Sequence, residues 1–233
     1  MKMKIRIRIN CIFCIIVFCT GCGILSPKLK SEKLTCCEGS VTFYFPIYNE
    51  MNVKYRTDSI GSIAFGIPIR PNDSIGIFHN YLFSKYLCKM GEPILYSKTN
   101  QSKNFIRFSH FGSWSSPYSF RMEQNKSKVS ISFNKTLGQG NLGDRDIENG
   151  TIECGTKEIN VKKWNLVIAK MDSIDFWKME THDKEMILDG EEWVFEALIN
   201  GRYHLVMRNS PESYNGKEYA ELCKLIKQTY TIK

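Results

Sequence analysis

The segment EWVFEALINGRYHLVMR, residues 192–208, decides the fold. Two runs rich in apolar, aromatic and β-branched residues, 192–199 and 202–208, flank the dipeptide Asn200-Gly201. This dipeptide is the one that best tolerates the left-handed dihedrals of a type I′ turn. The sequence therefore predicts a β-hairpin with a two-residue loop.

The turn also sets the register and the two faces of this hairpin. Because side chains alternate across a strand, every second residue shares a face. The predicted cross-strand pairs are Leu198 with Tyr203, Glu196 with Leu205, and Trp193 with Arg208. One face then carries Trp193, Phe195, His204, Val206 and Arg208, and the other carries Val194, Leu198, Leu205 and Met207.

Three helices are predicted from apolar spacing and from the residues at the helix ends. The first follows the cap-type residues Asn72, Asp73 and Ser74 and ends before Gly91. The second has an apolar stripe, and the third, at 217–229, is expected to pack on the hairpin. The stripe consists of Val161, Trp164, Val167 or Ile168, and Met171, and the third helix buries Tyr219, Leu222, Cys223 and Ile226.

Short strands are predicted upstream of the hairpin, over 41–47, 62–69, 104–111, 118–123 and 129–134. The last three are expected to form an antiparallel meander. Pro46 and Pro68 favour edge positions for the first two, since proline donates no hydrogen bond to a ladder. The predicted fold class is α+β, an antiparallel sheet with a C-terminal β-hairpin packed by about three helices.

The N-terminal 22 residues contain a basic stretch, the apolar run 11–19 and then small residues, which is typical of a secretory signal peptide. The run is about half of the ~20 residues that span a bilayer. The motif CTGC at 19–22 resembles the lipobox of bacterial lipoproteins, which implies lipid on Cys22, although Cys19 stands where leucine is usual. An ordinary signal peptide with Cys22 unmodified is the alternative.

The predicted organisation is a signal peptide at 1–21, a lipidated N-terminus and tether at 22–35, and a single α+β domain at 36–233. The tether sequence mixes Lys, Ser and Pro with little apolar periodicity. No acidic residue follows Cys22 directly, which favours the periplasmic side of the outer membrane. The first partner is then the lipid bilayer, through acylated Cys22.

Charge and cysteine content exclude several classes of protein. The formal net charge is +8, but four of the 32 basic residues precede Cys22, which leaves 28 basic against 24 acidic residues. This scattered excess does not indicate nucleic acid binding. After Cys22 five cysteines remain. Because the number is odd, at least one should be free or pair between chains, and the set is expected to consist of buried thiols or to include one disulfide. They are Cys36, Cys37, Cys88, Cys154 and Cys223.

No metal site or cofactor is predicted. The cysteine spacing includes no CxxC pair and the histidines are not clustered, so nothing indicates zinc. The stretch GQGNLG at 138–143 formally matches a dinucleotide-binding motif. It is followed by polar residues rather than by a helix that could present its N-terminus to a pyrophosphate, so we interpret it as a hairpin loop.

The C-terminal third carries the pattern DG-x-x-W-x-x-E, then G-x-YH and R-x-SP, over residues 189–211. This pattern resembles that of an uncharacterised family of bacterial exported proteins, with a looser likeness back to about residue 105. The resemblance implies an α+β fold with a shared hairpin. It implies no activity.

The densest ionisable group of the chain lies on this hairpin and is our candidate surface or binding patch, with Arg208 expected to stack on Trp193. The predicted register places Glu196 and His204 on opposite faces, so a histidine–carboxylate dyad within the hairpin is not expected. A structural hairpin with a satisfied histidine is the simpler interpretation. The patch consists of Asp189, Glu192, Trp193, Glu196, His204 and Arg208.

Two classes of function are compatible with these patterns. The first is a non-catalytic envelope protein that binds a protein partner or supports an assembly, which the abundance of aromatic residues and the lack of a catalytic motif favour. The second is an exported hydrolase whose residues converge only in the folded chain, with His204 or His110 as the base. A histidine within hydrogen-bond reach of a carboxylate in a pocket would favour the second class.

Overall fold

The computed structural model describes residues 42–49, 54–60, 63–136, 152–183, 190–214 and 216–231. Of residues 55–60, 63–69 and 152 the structure describes the backbone alone. The signal peptide, Cys22, the tether, Cys36, Cys37, the glycine-rich loop at 138–143 and Asp189 lie outside the described residues.

The described chain contains ten strands, three α-helices and two short 3-10 turns, which confirms the α+β class. The helices are α1 (Ile77–Lys89), α2 (Val161–Ser173) and α3 (Lys217–Thr231). The 3-10 turns are Tyr96–Lys98 and Phe176–Lys178. The strands are β1 (Ile47–Tyr48), β2 (Lys54–Ile60), β3 (Ile63–Ile69), β4 (Ile75–Gly76), β5 (Asn104–Gly112), β6 (Tyr118–Asn125), β7 (Lys128–Thr136), β8 (Ile152–Ile159), β9 (Glu191–Ile199) and β10 (Arg202–Asn209).

A six-stranded antiparallel sheet in the order β10-β9-β5-β6-β7-β8 forms the centre of the fold. Strands β5 to β8 follow one another as the meander predicted from the sequence, with β8 as an additional strand that was not predicted. The C-terminal hairpin β9–β10 joins this meander through β9, which pairs with β5. Two small two-stranded units, β1 with β4 and β2 with β3, lie outside the sheet.

The β9–β10 hairpin has the predicted register. Leu198 lies opposite Tyr203, and Trp193 lies opposite Arg208. Asn200 and Gly201 have φ values of 52° and 78°, the left-handed conformation that a type I′ turn requires. Local chemistry at the turn therefore determines which side chains of both strands share a face.

Helices cover both faces of the sheet, and we name the faces by the helices. The α2/α3 face carries the larger core, which includes Phe108, Phe195 and Val206. The α1 face carries a smaller core with Phe111, Val194 and other apolar residues of the sheet and of α1. Burial of apolar side chains on both faces explains why β9 is almost continuously apolar from Trp193 to Ile199.

The α2 and α3 predictions are confirmed. The side chain of Asn160 caps α2 by accepting a hydrogen bond from the backbone N–H of Lys162, at 2.9 Å. The apolar stripe of α2 places Trp164, Val167 and Met171 in the core. Helix α3 buries all four residues expected of it, Tyr219, Leu222, Cys223 and Ile226.

The predicted cap of α1 is wrong. The helix begins after Gly76, and no side chain caps it. Asp73 instead adopts a positive φ of 55°, and its carboxylate accepts a hydrogen bond from the backbone N–H of Leu205 in β10, at 2.9 Å. A tertiary contact thus outweighs local capping. The predicted end of the helix is confirmed by Gly91, whose φ is 67°.

The strand predicted over 41–47 is also wrong over residues 42–46, since β1 contains only Ile47–Tyr48. Tyr44 and Phe45 are buried against α1 in irregular chain. Side chains of α1 supply the hydrogen bonds that a neighbouring strand would supply: Asn80 donates to the Phe45 carbonyl at 2.7 Å, and Ser84 accepts from the Tyr44 N–H at 2.9 Å. The strand predicted over 62–69 is confirmed as β3.

Candidate functional site

Four charged side chains meet on the α1 face of the sheet, and we call them the ionic centre: Glu92, Arg107, Arg121 and Glu196. Arg107 lies in the middle of β5, directly opposite Glu196 of β9 and Arg121 of β6. Its Nε donates to Glu196 Oε2 at 2.7 Å. The side chains of Glu92, Arg107 and Glu196 have no exposed surface.

Every carboxylate of the ionic centre has several donors. Glu92 accepts hydrogen bonds from Ser119 at 2.9 Å, Asn134 at 2.7 Å and Arg121 at 2.9 Å. The hydroxyl of Tyr203 donates to Glu196 Oε1 at 2.9 Å. Because burying an ion is costly unless its hydrogen bonds are satisfied, this network is what allows charge inside the sheet.

Residues that precede β5 in the chain also enclose the Arg107 guanidinium. Its Nη1 donates to the carbonyl of Pro93 at 2.7 Å. The rings of Tyr44 and Phe45 lie 6.0 and 5.9 Å from the guanidinium carbon. Two acidic and two basic groups therefore neutralise one another in a space closed by aromatic rings.

The pKa shifts of Arg107 and Glu92 favour their charged forms, whereas burial raises the pKa of Glu196 above its usual range although Arg107 lowers it. Burial by itself lowers the pKa of Arg107, but the carboxylates of Glu196 and Glu92 outweigh it and raise that pKa above its ordinary value. Burial raises the pKa of Glu92 by itself, yet Arg121 and Arg107 bring it below the usual range. Both groups are thus held in their charged forms.

Arg107 and Glu92 were not predicted from the sequence as members of a site. A signal was present, because Arg107 is a single charge within the apolar strand FIRFSHFG at 105–112, and Glu196 is a single charge within WVFEALI at 193–199. Opposite charges in two strands that are otherwise apolar indicate a buried pair. The pairing of β5 with β9 was needed to connect them.

The predicted patch does not form one continuous surface in the described residues. Glu196 and Glu192 point to the α1 face, whereas Trp193, His204 and Arg208 point to the α2/α3 face. Trp193, Glu196 and His204 are buried. Glu192 accepts a hydrogen bond from Asn209 at 2.9 Å, and burial raises its pKa. Helices pack on both faces of the sheet, so the middle of β9 and of β10 is buried and this group does not form an open patch.

The register predicted that His204 and Glu196 do not pair, and they do not. His204 Nδ1 lies 2.6 Å from Asp73 Oδ1, and the His204 ring packs against Phe176 and Trp177, with centroids 5.0 and 6.0 Å away. Asp73 belongs to the turn before β4 that binds the edge of β10. This pair therefore joins two distant parts of the chain.

The predicted stacking of Arg208 on Trp193 is wrong. The guanidinium carbon of Arg208 lies 5.7 Å from the ring centroid of Tyr219 in α3. Its nitrogens donate to the carbonyls of Thr181 and Glu180, at 3.1 and 2.9 Å. The carbonyl acceptors of a neighbouring segment draw the guanidinium away from Trp193, which packs instead on Phe108 and His110.

A second histidine–carboxylate pair lies where β5 ends. His110 Nε2 is 3.0 Å from Glu191 Oε2, and the imidazole stacks on Tyr118 with centroids 4.6 Å apart. Burial lowers the pKa of His110, and the contact with Glu191 opposes that shift only in part. His110 Nδ1 and Ser115 Oγ are both buried and make no hydrogen bond.

His110 and Ser115 both lie close to Gly112, in space that a larger residue at this position would fill. A Cβ on Gly112 would lie 2.1 Å from Ser115 Oγ and 3.2 Å from His110 Cε1. A serine hydroxyl, an imidazole and a carboxylate thus occupy one end of the sheet. These are the residue types of a nucleophile, a base and an orienting group.

Within the described part of the chain, no group of three or more His, Cys, Asp or Glu side chains is placed to hold a metal ion.

Cys223 is a buried free thiol, and burial raises its pKa well above the ordinary value. No helix among the described residues is long and apolar enough to cross a bilayer.

The fold and the ionic centre define an α+β protein whose antiparallel sheet is covered by helices on both faces and encloses a neutral group of charges. No protein-family model, no curated protein and no solved structure matches the chain.

Proposed function

We propose that this protein is a lipoprotein of the bacterial cell envelope, held to the periplasmic side of the outer membrane by lipid on Cys22, and that its folded part is a non-catalytic binding or accessory protein. The observation that carries the proposal of a non-catalytic protein is the ionic centre. Its charged side chains bind one another and thereby join β5, β6 and β9, so they are not free to act on a substrate. The anchor is supported by the CTGC motif at 19–22. Several acyl chains at one N-terminus suffice for stable attachment.

Substitution of Cys22 tests the anchor. In cells fed an alkyne analogue of palmitate, we expect the wild-type protein to take up the label and remain with membranes after a carbonate wash. Cys22→Ser should abolish labelling, because the acylated sulfur is gone. Cys14→Ser is the matched control, since Cys14 lies in the apolar run before the CTGC motif, and it should label like wild type. Labelling that persists in Cys22→Ser contradicts the proposal.

A hydrolase is the second candidate, and the Ser115, His110 and Glu191 group favours it. In this mechanism Ser115 Oγ attacks an ester carbonyl while His110 takes the hydroxyl proton and Glu191 holds the imidazole. The leaving alcohol then receives that proton, and water releases the acid from the acyl-enzyme. Since Ser115 Oγ and His110 Nδ1 are buried, the loop 113–117 has to move to admit a substrate.

A fluorophosphonate probe distinguishes the two candidates. A catalytic serine would form a bond from its oxygen to phosphorus and release fluoride. If the chain is non-catalytic, as we propose, the full-length wild-type protein stays unlabelled. Labelling that is lost in Ser115→Ala and His110→Ala, but kept in the neighbouring control Ser116→Ala, would make the hydrolase the better assignment.

A further inference from the structure

Large apolar side chains are exposed at the start of α1 and on the adjacent strand β1. They are Ile47, Ile77, Phe78 and Tyr81, and we call them the α1 outer face. Phe78 is 71% exposed and Ile47 is 48% exposed. Strand β1 pairs with β4, which leads directly into α1, so the four residues lie on neighbouring elements. Exposed apolar groups of this kind mark surfaces that contact another phase or molecule.

The opposite side of α1 packs against the sheet and the incoming chain, so the α1 outer face has to point away from them. Phe83 and Leu87 are buried in the core on the α1 face of the sheet, and Asn80 and Ser84 hydrogen-bond to each other and to the incoming chain. Residues three and four positions apart share one side of a helix, and Tyr81 is three positions from Phe78 and four from Ile77. The exposed side therefore faces away from the sheet.

The charge of α1 favours an anionic partner. Between Ser74 and Gly91 the chain has no acidic residue, whereas it has Lys85 and Lys89. The ammonium of Lys89 is buried, so Lys85 is the lysine of α1 that can meet a partner. The ammonium of Lys85 lies 4.3 Å from the ring centroid of Tyr81. Aromatic rings beside lysines are typical of helices that lie at the boundary between headgroups and acyl chains, where anionic phospholipids attract the lysines.

The route of the chain from Cys22 favours the same side. The chain that follows the tether reaches the fold at Tyr44 and Phe45, which pack and hydrogen-bond against α1. The segment 28–38 before this point has a small basic excess, with Lys28, Lys30 and Lys33 against Glu32 and Glu38. A lipid on Cys22 would therefore pull the domain toward the bilayer by its α1 side, while α2 and α3 cover the other face of the sheet.

We propose that the α1 outer face lies on the surface of a bilayer that contains anionic phospholipid, with Phe78 at the level of the headgroups. This inference rests on the proposed lipid anchor. The anchor supplies attachment, and the α1 outer face supplies orientation. The α2/α3 side then points into the periplasm, where a partner can reach it.

Site-specific photocrosslinking tests this orientation in the full, acylated chain. Benzoylphenylalanine replaces Phe78 in one variant, Tyr81 in a second and Leu166 in a control, and each protein is reconstituted into vesicles of phosphatidylethanolamine and phosphatidylglycerol at 3:1. Leu166 is the matched control because it is 59% exposed on α2, across the sheet. We expect phospholipid adducts at 78 and 81 to exceed those at 166 by at least about tenfold.

Flotation of the vesicles separates the two levels of the proposal. The orientation is overturned, while the anchor stands, if the protein floats with the vesicles but positions 78 and 81 give no lipid adducts, or no more than position 166. Adducts to protein instead of lipid at 78 overturn it as well. Acylated protein that does not float overturns the anchor and, with it, the orientation.

Discussion

Replacing Arg107 with methionine is expected to lower the free energy of unfolding by about 3–5 kcal/mol, the range measured when one partner of a buried ion pair is removed. Glu196 would lose its main counter-ion in a part of the sheet without solvent exposure, and Glu92 would lose one of two. Methionine preserves much of the volume, so the loss reports charge. Urea unfolding followed by circular dichroism measures it.

The pH dependence identifies the cause of this loss. Without Arg107, burial raises the pKa of Glu196 further above its unfolded value, so the folded state retains a proton. A group whose pKa is raised by folding contributes stability at low pH that is lost as pH rises. The difference between Arg107→Met and wild type should therefore be larger at pH 8 than at pH 5.

Lys103→Met is the matched control for Arg107→Met. Its ammonium lies 2.6 Å from Glu123 Oε1, but the two side chains are 39% and 24% exposed. Exposed pairs contribute about 0–1 kcal/mol. A comparable loss in both variants, or a loss in Arg107→Met that does not grow with pH, would show that the ionic centre is not a buried charge network.

Acidification is expected to destabilise the protein between pH 6.5 and about 4, and His182 is expected to account for about 3 kcal/mol of the change. Burial, aided by Arg70, lowers the pKa of His182 to about 4. His182 Nε2 donates to the Ser74 carbonyl at 2.8 Å, and this hydrogen bond raises the pKa and offsets part of the effect of burial. Protonation would place a second proton on the buried Nδ1.

The sign follows from the lowered pKa. Folding favours the neutral form, so its contribution is fully present above the unfolded pKa of about 6.5 and is lost as the pH falls toward 4. His182→Gln keeps an amide donor for Ser74 and has no proton to gain. In this variant the free energy of unfolding should change much less over the same pH window.

His79→Gln is the comparison for His182→Gln, because His79 is exposed at the start of α1 and its charge is only a minor cause of the lowered pKa of His182. It should keep most of the wild-type pH dependence. Burial also lowers the pKa of His110, which leaves a smaller slope of the same sign in His182→Gln. An unchanged slope in His182→Gln would mean that His182 titrates as it does in the unfolded chain.

The sequence predicted the parts of the fold that depend on near neighbours. The dihedrals of Asn200 and Gly201 set the register of β9 and β10 because only two residues separate the strands. Helices α2 and α3 could be predicted because their apolar residues recur with the period of the helix. In both cases the residues that interact are close in the chain.

Prediction from sequence did not succeed where a distant segment competes with a local one. Asp73 looked like a helix cap, yet it binds Leu205, which is 132 residues away. Arg208 looked like a partner for Trp193, but the carbonyls of Thr181 and Glu180 bind it. Each local interaction is worth about as much as its competitor, so the packing of the whole chain decides between them.

The sequence by itself determined the class of fold, the C-terminal hairpin and its register, because turn chemistry and apolar period act over a few residues. Only the tertiary structure decided that Arg107 meets Glu196 across 89 residues and that the predicted patch divides between two faces. The reason is physical: a buried charge is stable only beside a matched charge and its hydrogen bonds, and that match exists only after β5 and β9 have paired.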